Sequence, residues 1–345
     1  MIHIQINDAQ LLQIKQIWCK WFFKNARIND FLKILDTDTA FRQLIFQSTP
    51  IYLNWKKERS NKKKIDSWQK PIVDYFFSDL SNENTILNYS GPFNIDTQNF
   101  FIKNYDSFRN SKAFESIINI MNLQVCPYCN RNFIESYVNT DNKRRKFYFK
   151  GDLDHHYSKS NFPILALSFY NLIPCCKVCN HEKSSTSQHT FYPYYDYEDE
   201  YCFNIELYKT EKEMDIINDI PIPNIYNKIY DSTVWQGISN NFQIKLSGKN
   251  GTPLSPHMEN SKEIFKLEKK YNHSKDYVKE LIRKKYIYPN IKKEEIFKNF
   301  KDIFTDEDEL QETFYSYTAT SENLSDRPLS KLTKDILEQL KILDN

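Results

Sequence analysis

The chain has 345 residues, enough for one large core or two to three small ones, and 25 Phe with 23 Tyr make rings as important to that core as Leu or Val. Only 5 Gly argue against a Gly-rich phosphate loop or a turn-dense all-β fold, so helix should dominate. With 47 Lys and Arg against 45 Asp and Glu there is no global basic field, and any nucleic-acid contact must come from local patches.

Residues 2 to 6 alternate apolar and polar, as a short strand does, and lack the basic-then-apolar layout of a secretory signal. No apolar run approaches the ~18 residues a membrane span needs, so a soluble, cytoplasmic protein is expected. From Asp8, placed to cap, a helical stripe runs through Leu11, Ile14, Trp18 and Trp21 or Phe22. Further stripes follow at Phe31, Ile34 and Leu35 and at Phe41, Leu44 and Ile45. Residues 56 to 64 read as a polar, basic connection between helices. After a turn signal at 88–92, a helix around 111 to 122 should bury Phe114, Ile117, Ile118 and Met121. Residues 1–122 show no catalytic spacing and are taken as a helical scaffold or partner-docking region.

Residues 123–195 hold the chemistry. Cys126 and Cys129 form one C-x-x-C pair, and Cys176 and Cys179 form another. In a reducing compartment two such pairs read as the four thiolate ligands of a structural Zn2+, each pair binding from one tight knuckle. A redox role for the pairs is the rival, and Cys175 is expected to be a core thiol beside the second pair. Cys19 and Cys202 read as small core fillers. Between the knuckles, residues 132–138 and 144–149 suit two strands. Lys143, Arg144, Arg145 and Lys146, followed by Phe147-Tyr148-Phe149, suit either a phosphate-tracking edge or an edge strand protected by charge.

Asp154 and Asn180 offer the hard oxygen pair that Mg2+ or Mn2+ needs, and His155 offers a neutral imidazole to activate water. On a strand His155 points away from Asp154, so a phosphate would have to lie between metal and imidazole.

The stretches D-L-D-H-H-Y-S-K-S (152–160) and N-L-I-P-C-C-K-V-C-N-H-E-K-S (171–184) resemble the HNH, or ββα-metal, endonucleases. The resemblance implies an α+β fold, mainly helical, with a small ββα-metal core, a structural zinc and helical flanks. It makes His155 the general base, Asp154 and Asn180 the metal ligands, and Asn171 the brace of the intervening loop. Lys183 falls on the family's basic position after the second ligand and is expected to contact nucleic acid. His156 is an extra imidazole able to replace or assist His155. The C-P-Y-C knuckle and residues 160–167 are similar to a narrower branch found beside an ATPase in bacterial antiphage systems of the Septu and retron type. An effector acting on DNA or RNA, with an ATPase partner, is what that similarity implies. The rival from another class is a zinc-stabilised nucleic-acid or protein-binding module with an unused nuclease site.

Residues 196–345 form a mixed and then helical C-terminal region. The aromatic, acidic stretch 191–200 should pack as a loop over the site, followed by strands at 201–208 and 242–246 and a turn at 247–251. From Asn260 a helix should carry Ile264, Leu267, Tyr271, Val278, Leu281 and Ile282 on one stripe and stop before Pro289. After Pro328, an amphipathic tail helix with Leu329, Leu332, Ile336, Leu340 and Leu343 could pack on the core or dock a partner.

Overall fold

The computed structural model describes residues 1–345 except 25, 61–67, 140–145, 187, 198–199, 211–215, 218–219, 222–228, 289, 305, 316–323 and 342–345. The amino-terminal part is built from helices α1 (Asp8–Phe22), α2 (Ala26–Thr37), α3 (Thr39–Phe46), α4 (Thr49–Ser60), α5 (Lys70–Phe76), the single turn α6 (Glu83–Ile86), α7 (Ile95–Arg109) and α8 (Lys112–Met121). Residues 2–6 are not a strand. They alternate as expected, but their amides bond irregularly, Ile2 to the Pro127 carbonyl (2.8 Å) and Ile4 to the Pro193 carbonyl (2.7 Å). Asn7, not Asp8, caps α1, in a reciprocal box with Gln10 (2.9 and 3.0 Å), because Asn7 keeps an extended backbone while Asp8 is already helical. Residues 56–60, expected in a loop, complete α4; residues 61–64 of that stretch lie outside the described residues.

The helices are glued by rings. Trp18 stacks on Phe22 at 4.6 Å and leans on Phe76 at 4.3 Å, and Phe31, Phe41 and Phe101 close the cluster edge-to-face. Each such pair adds about 0.5–1.5 kcal/mol beyond area burial, which suits a chain this rich in Phe and Tyr. The predicted buried face of α8 is found, with Phe114, Ile117, Ile118 and Met121 all inside.

Strands β1 (Ser136–Asn139) and β2 (Lys146–Phe149) form one antiparallel pair, and β3 (Asp152–His155) and β4 (Leu172–Cys175) another, followed by α9 (Lys177–Lys183). Tyr201–Leu207 (β5) precedes two short ladders, β6 (Lys209–Thr210) with β9 (Ile229–Tyr230) and β7 (Ile216–Ile217) with β8 (Ile220–Pro221). Phe242–Gly248 (β10) pairs with β5. The helix expected from Asn260 is instead three: α10 (Pro256–Ile264), α11 (Leu267–Asn272) and α12 (Lys275–Ile287). Lys266 breaks the first junction in a left-handed conformation (φ 49°), which turns Leu267 and Tyr271 inward on a new axis. α13 (Asn290–Asn299), α14 (Glu307–Tyr315) and α15 (Ser330–Lys341) complete the chain.

The tail helix packs on the core. Leu332, Ile336 and Leu340 are buried, and Asp335 and Gln339 accept the β5 amides of Phe203 (2.9 Å) and Ile205 (2.8 Å). Leu343 lies outside the described residues. One main cluster of buried apolar side chains runs from Met1 to Leu340, so all three stretches of sequence share a core. No described helix is long and apolar enough to cross a membrane.

Candidate functional site

Two local structures bring the four thiols together. Cys126–Cys129 is a tight turn closed by Asn130 N to the Cys126 carbonyl (2.7 Å) and Cys126 N to the Asn132 carbonyl (2.9 Å). Asn130 takes the left-handed conformation this turn requires (φ 46°), which Asn tolerates better than most residues. Its side chain reaches Ser330 (3.1 Å) and the amide of Lys331 (3.0 Å), fastening the first turn of α15 to the knuckle. Cys176 caps α9 and Cys179 sits in its first turn.

All four cysteines are buried, and their sulfurs lie within 4.8 Å of one another. A tetrahedral Zn2+ with Zn–S near 2.3 Å needs sulfurs about 3.8 Å apart. Cys129 and Cys176 stand at 4.0 Å, and Asn132 donates to the Cys176 sulfur (3.2 Å) as a thiolate requires. The residues fit a structural zinc. Cys175 is outside the group; burial pushes its thiol up, so it stays a protonated core residue at the end of β4.

The hairpin beside this clamp sets up an open cleft of about 480 Å³. β3 pairs with β4 along one edge, and among the described residues its other edge is unpaired. Alternation along β3 puts Asp152 and Asp154 on the face crossed by α9. Two residues along the strand match one turn of the helix. Asn180 therefore donates to Asp152 (3.2 Å), and Lys183, three residues on, contacts Asp154 (3.0 and 3.1 Å). His155 lies on the opposite face against Tyr105, ring centroids 4.5 Å apart. Asp152, Asp154, His155 and Asn180 all border the cleft at the free edge.

This arrangement alters the expected metal pair. Asn180 meets Asp152, whereas both oxygens of Asp154 are engaged, by Lys183 and by the Tyr128 hydroxyl (2.7 Å) from the first knuckle. Asp154 is 3% exposed and Lys183 2%, so Lys183 is an internal counter-ion and not the surface nucleic-acid contact expected of it. The oxygens left at this edge are those of Asp152 and the side-chain carbonyl of Asn180, which makes no hydrogen bond with a described residue; a carboxylate and an amide oxygen are ligand types a hard divalent cation could use.

The Nε2 of His155 lies 3.1 Å from the Ala166 carbonyl, which only accepts, so Nε2 carries the proton and Nδ1 keeps a lone pair. Burial holds the imidazole down at about 4, so it is neutral at pH 7. Asn171 is fully buried. Its amide accepts from Tyr157 N (2.7 Å) and donates to the carbonyls of Tyr157 (3.1 Å) and Leu165 (3.0 Å), bracing the loop after β3.

His156 does not assist His155. It stacks on Tyr192 at 3.9 Å and borders a separate pocket with Tyr157 and Phe162, its pKa pushed well below the ordinary value by burial. Of the 191–200 stretch expected to lie over the site, Phe191, Tyr192 and Tyr194 are buried, but none of its described residues lines the cleft, Tyr197 is exposed, and 198–199 lie outside the described residues. Lys143, Arg144 and Arg145 lie outside the described residues; Lys146 is exposed on β2 with its ammonium over Tyr148 (4.8 Å).

Sequence reasoning missed Asp152, Tyr128, Tyr105, Arg109 and Lys159, all but Tyr128 of which line the cleft. Asp152 had a signal, its two-residue offset from Asp154. Tyr105 and Arg109 had none, because only tertiary packing brings the end of α7 to β3. No family model, curated protein or solved structure matches the chain.

Proposed function

We propose that the chain is a metal-dependent endonuclease that hydrolyses phosphodiester bonds, its active centre at the free edge of β3. The observation that carries this reading is the meeting of a carboxylate–amide pair and a neutral imidazole, from opposite faces of one strand, in a single open cleft. Asp152 and Asn180 would hold Mg2+ or Mn2+, which supplies charge neutralisation on the phosphate and support for the departing oxygen. His155 takes the proton of the attacking water on Nδ1, its ring oriented by the Ala166 carbonyl. Lys183 holds both the Asp154 carboxylate and the His155 carbonyl (2.9 Å), fixing the strand segment that carries the base. Asn171 braces the loop between β3 and β4 through Tyr157 and Leu165.

The resemblance to nucleases of antiphage systems extends the proposal to a defence effector working with an ATPase partner. The test is cleavage of DNA and RNA by zinc-replete protein with Mg2+ or Mn2+, comparing wild type with His155→Ala and Asp152→Asn at equal zinc content. Loss of about 10²–10⁴-fold in His155→Ala is expected. Undiminished cleavage by both variants removes the reading, and nucleic-acid binding without any cleavage leaves a zinc-stabilised binding module.

A further inference from the structure

We propose that Arg109 and Lys159 form a phosphate-gripping pair that holds the backbone of a nucleic-acid strand across the β3-edge cleft. The ligand class rests on the nuclease reading, but the claim concerns binding and is measured without catalysis. Arg109 ends α7, Lys159 lies in the loop after β3, and both line the cleft that contains Asp152, His155 and Asn180.

Each of the two cations lies over an aromatic ring. The Arg109 guanidinium sits over Phe114 (4.3 Å) and Phe149 (5.4 Å), and the Lys159 ammonium over Tyr105 (5.3 Å). Neither makes a hydrogen bond or ion pair with a described residue. By contrast, Lys183, Lys150 and Lys270 are committed to the carboxylates of Asp154, Glu135 and Glu182, and Arg27, which also lies over a ring, spends its N–H groups on the Ser107 hydroxyl and the Trp21 carbonyl. A ring face attracts and steadies a cation while leaving its N–H donors unsatisfied. Arg109 is within the electrostatic field of Asp152 yet forms no ion pair with it, so its fork remains available.

An anion entering the cleft therefore meets a planar guanidinium suited to two phosphate oxygens and a second positive point. Both side chains are already positioned, which lowers the ordering cost of binding. A scissile phosphate near Asp152 and His155 would have its charge matched without drawing on Lys183, which the fold uses internally. The rival role for Arg109 is structural, favouring the carboxyl end of α7 and covering two rings. That role predicts lost stability and no change in salt dependence.

The experiment is fluorescence anisotropy of labelled single-stranded and duplex DNA and RNA, in buffer free of divalent cations, across a salt series. Arg109→Gln, Arg109→Lys and Lys159→Gln in the 345-residue chain are compared with wild type, with melting temperatures alongside. Each Gln variant should bind about tenfold more weakly or worse. Each should also flatten the slope of log K against log salt by about 0.7–0.9 per lost phosphate contact. Arg109→Lys should keep the slope and lose part of the affinity, because charge survives and the fork does not. Lys159 is exposed, so Lys159→Gln carries the test even if Arg109→Gln unfolds. Unchanged affinity and slope in Lys159→Gln and in folded Arg109 variants overturn the proposal, as does a wild type that binds no strand. Binding that depends on both residues in a protein that never cleaves upholds the grip and removes only the nuclease reading.

Discussion

Replacing Lys183 by Met tests whether this lysine is an internal counter-ion or a surface contact. Its ammonium bonds the two Asp154 oxygens at 3.1 and 3.0 Å and the His155 carbonyl at 2.9 Å, with both side chains almost entirely buried. Methionine keeps the volume but leaves Asp154 with only the Tyr128 hydroxyl. Breaking a buried pair from one side costs about 3–5 kcal/mol, because the remaining charge is uncompensated. At an m-value of about 3 kcal/mol per M, the urea midpoint should fall by about 1–1.7 M. Lys183→Met/Asp154→Asn, which removes both charges, should recover more than half of the loss. Urea unfolding followed by tryptophan fluorescence reads all three proteins. If Lys183→Met stays within about 1 kcal/mol of wild type while nucleic-acid affinity drops, the lysine faces solvent and the buried pair is refuted.

Metal analysis of reduced protein should find about one zinc per chain, lost in Cys126→Ser and kept in Cys175→Ser; zinc retained in Cys126→Ser would remove the clamp. Burial holds His155 near 4 and pushes His156 well below the ordinary 6.5, so below 6.5 the unfolded chain binds protons that the folded chain does not. Stability is then complete above about pH 6.5 and falls as pH drops toward 4, His155 alone accounting for about 3 kcal/mol. His156→Phe, which keeps the stack on Tyr192, should flatten that acid loss relative to wild type in pH-dependent melting curves; identical curves would contradict it. Asn171→Ala strips three buried hydrogen bonds from the loop and should cost about 2–4 kcal/mol in urea titration, together with protease sensitivity at residues 156–166.

Much of the local structure was legible because it depends on near neighbours. Thiols three apart must sit in a knuckle, and Phe114, Ile117, Ile118 and Met121 fall on one helical face whatever surrounds them. The failures arose where distant groups compete. Lys266 interrupts a stripe that is periodic in sequence, because Leu267 and Tyr271 gain more by packing inward along a new axis. Lys183 has the chemistry of a phosphate ligand, and only the buried carboxylate opposite it turns it inward.

From sequence alone came the residue inventory of the centre: four thiols for one cation, an acidic–imidazole strand end, and an asparagine one knuckle later. Tertiary structure decided the pairing. The two-residue repeat of β3 set against the turn of α9 joins Asn180 to Asp152 and Lys183 to Asp154, and the packing of α7 brings Tyr105 and Arg109 from a stretch without catalytic spacing. Spacing along one element is a local property of the backbone; which face meets which partner depends on where the whole core lets the elements lie.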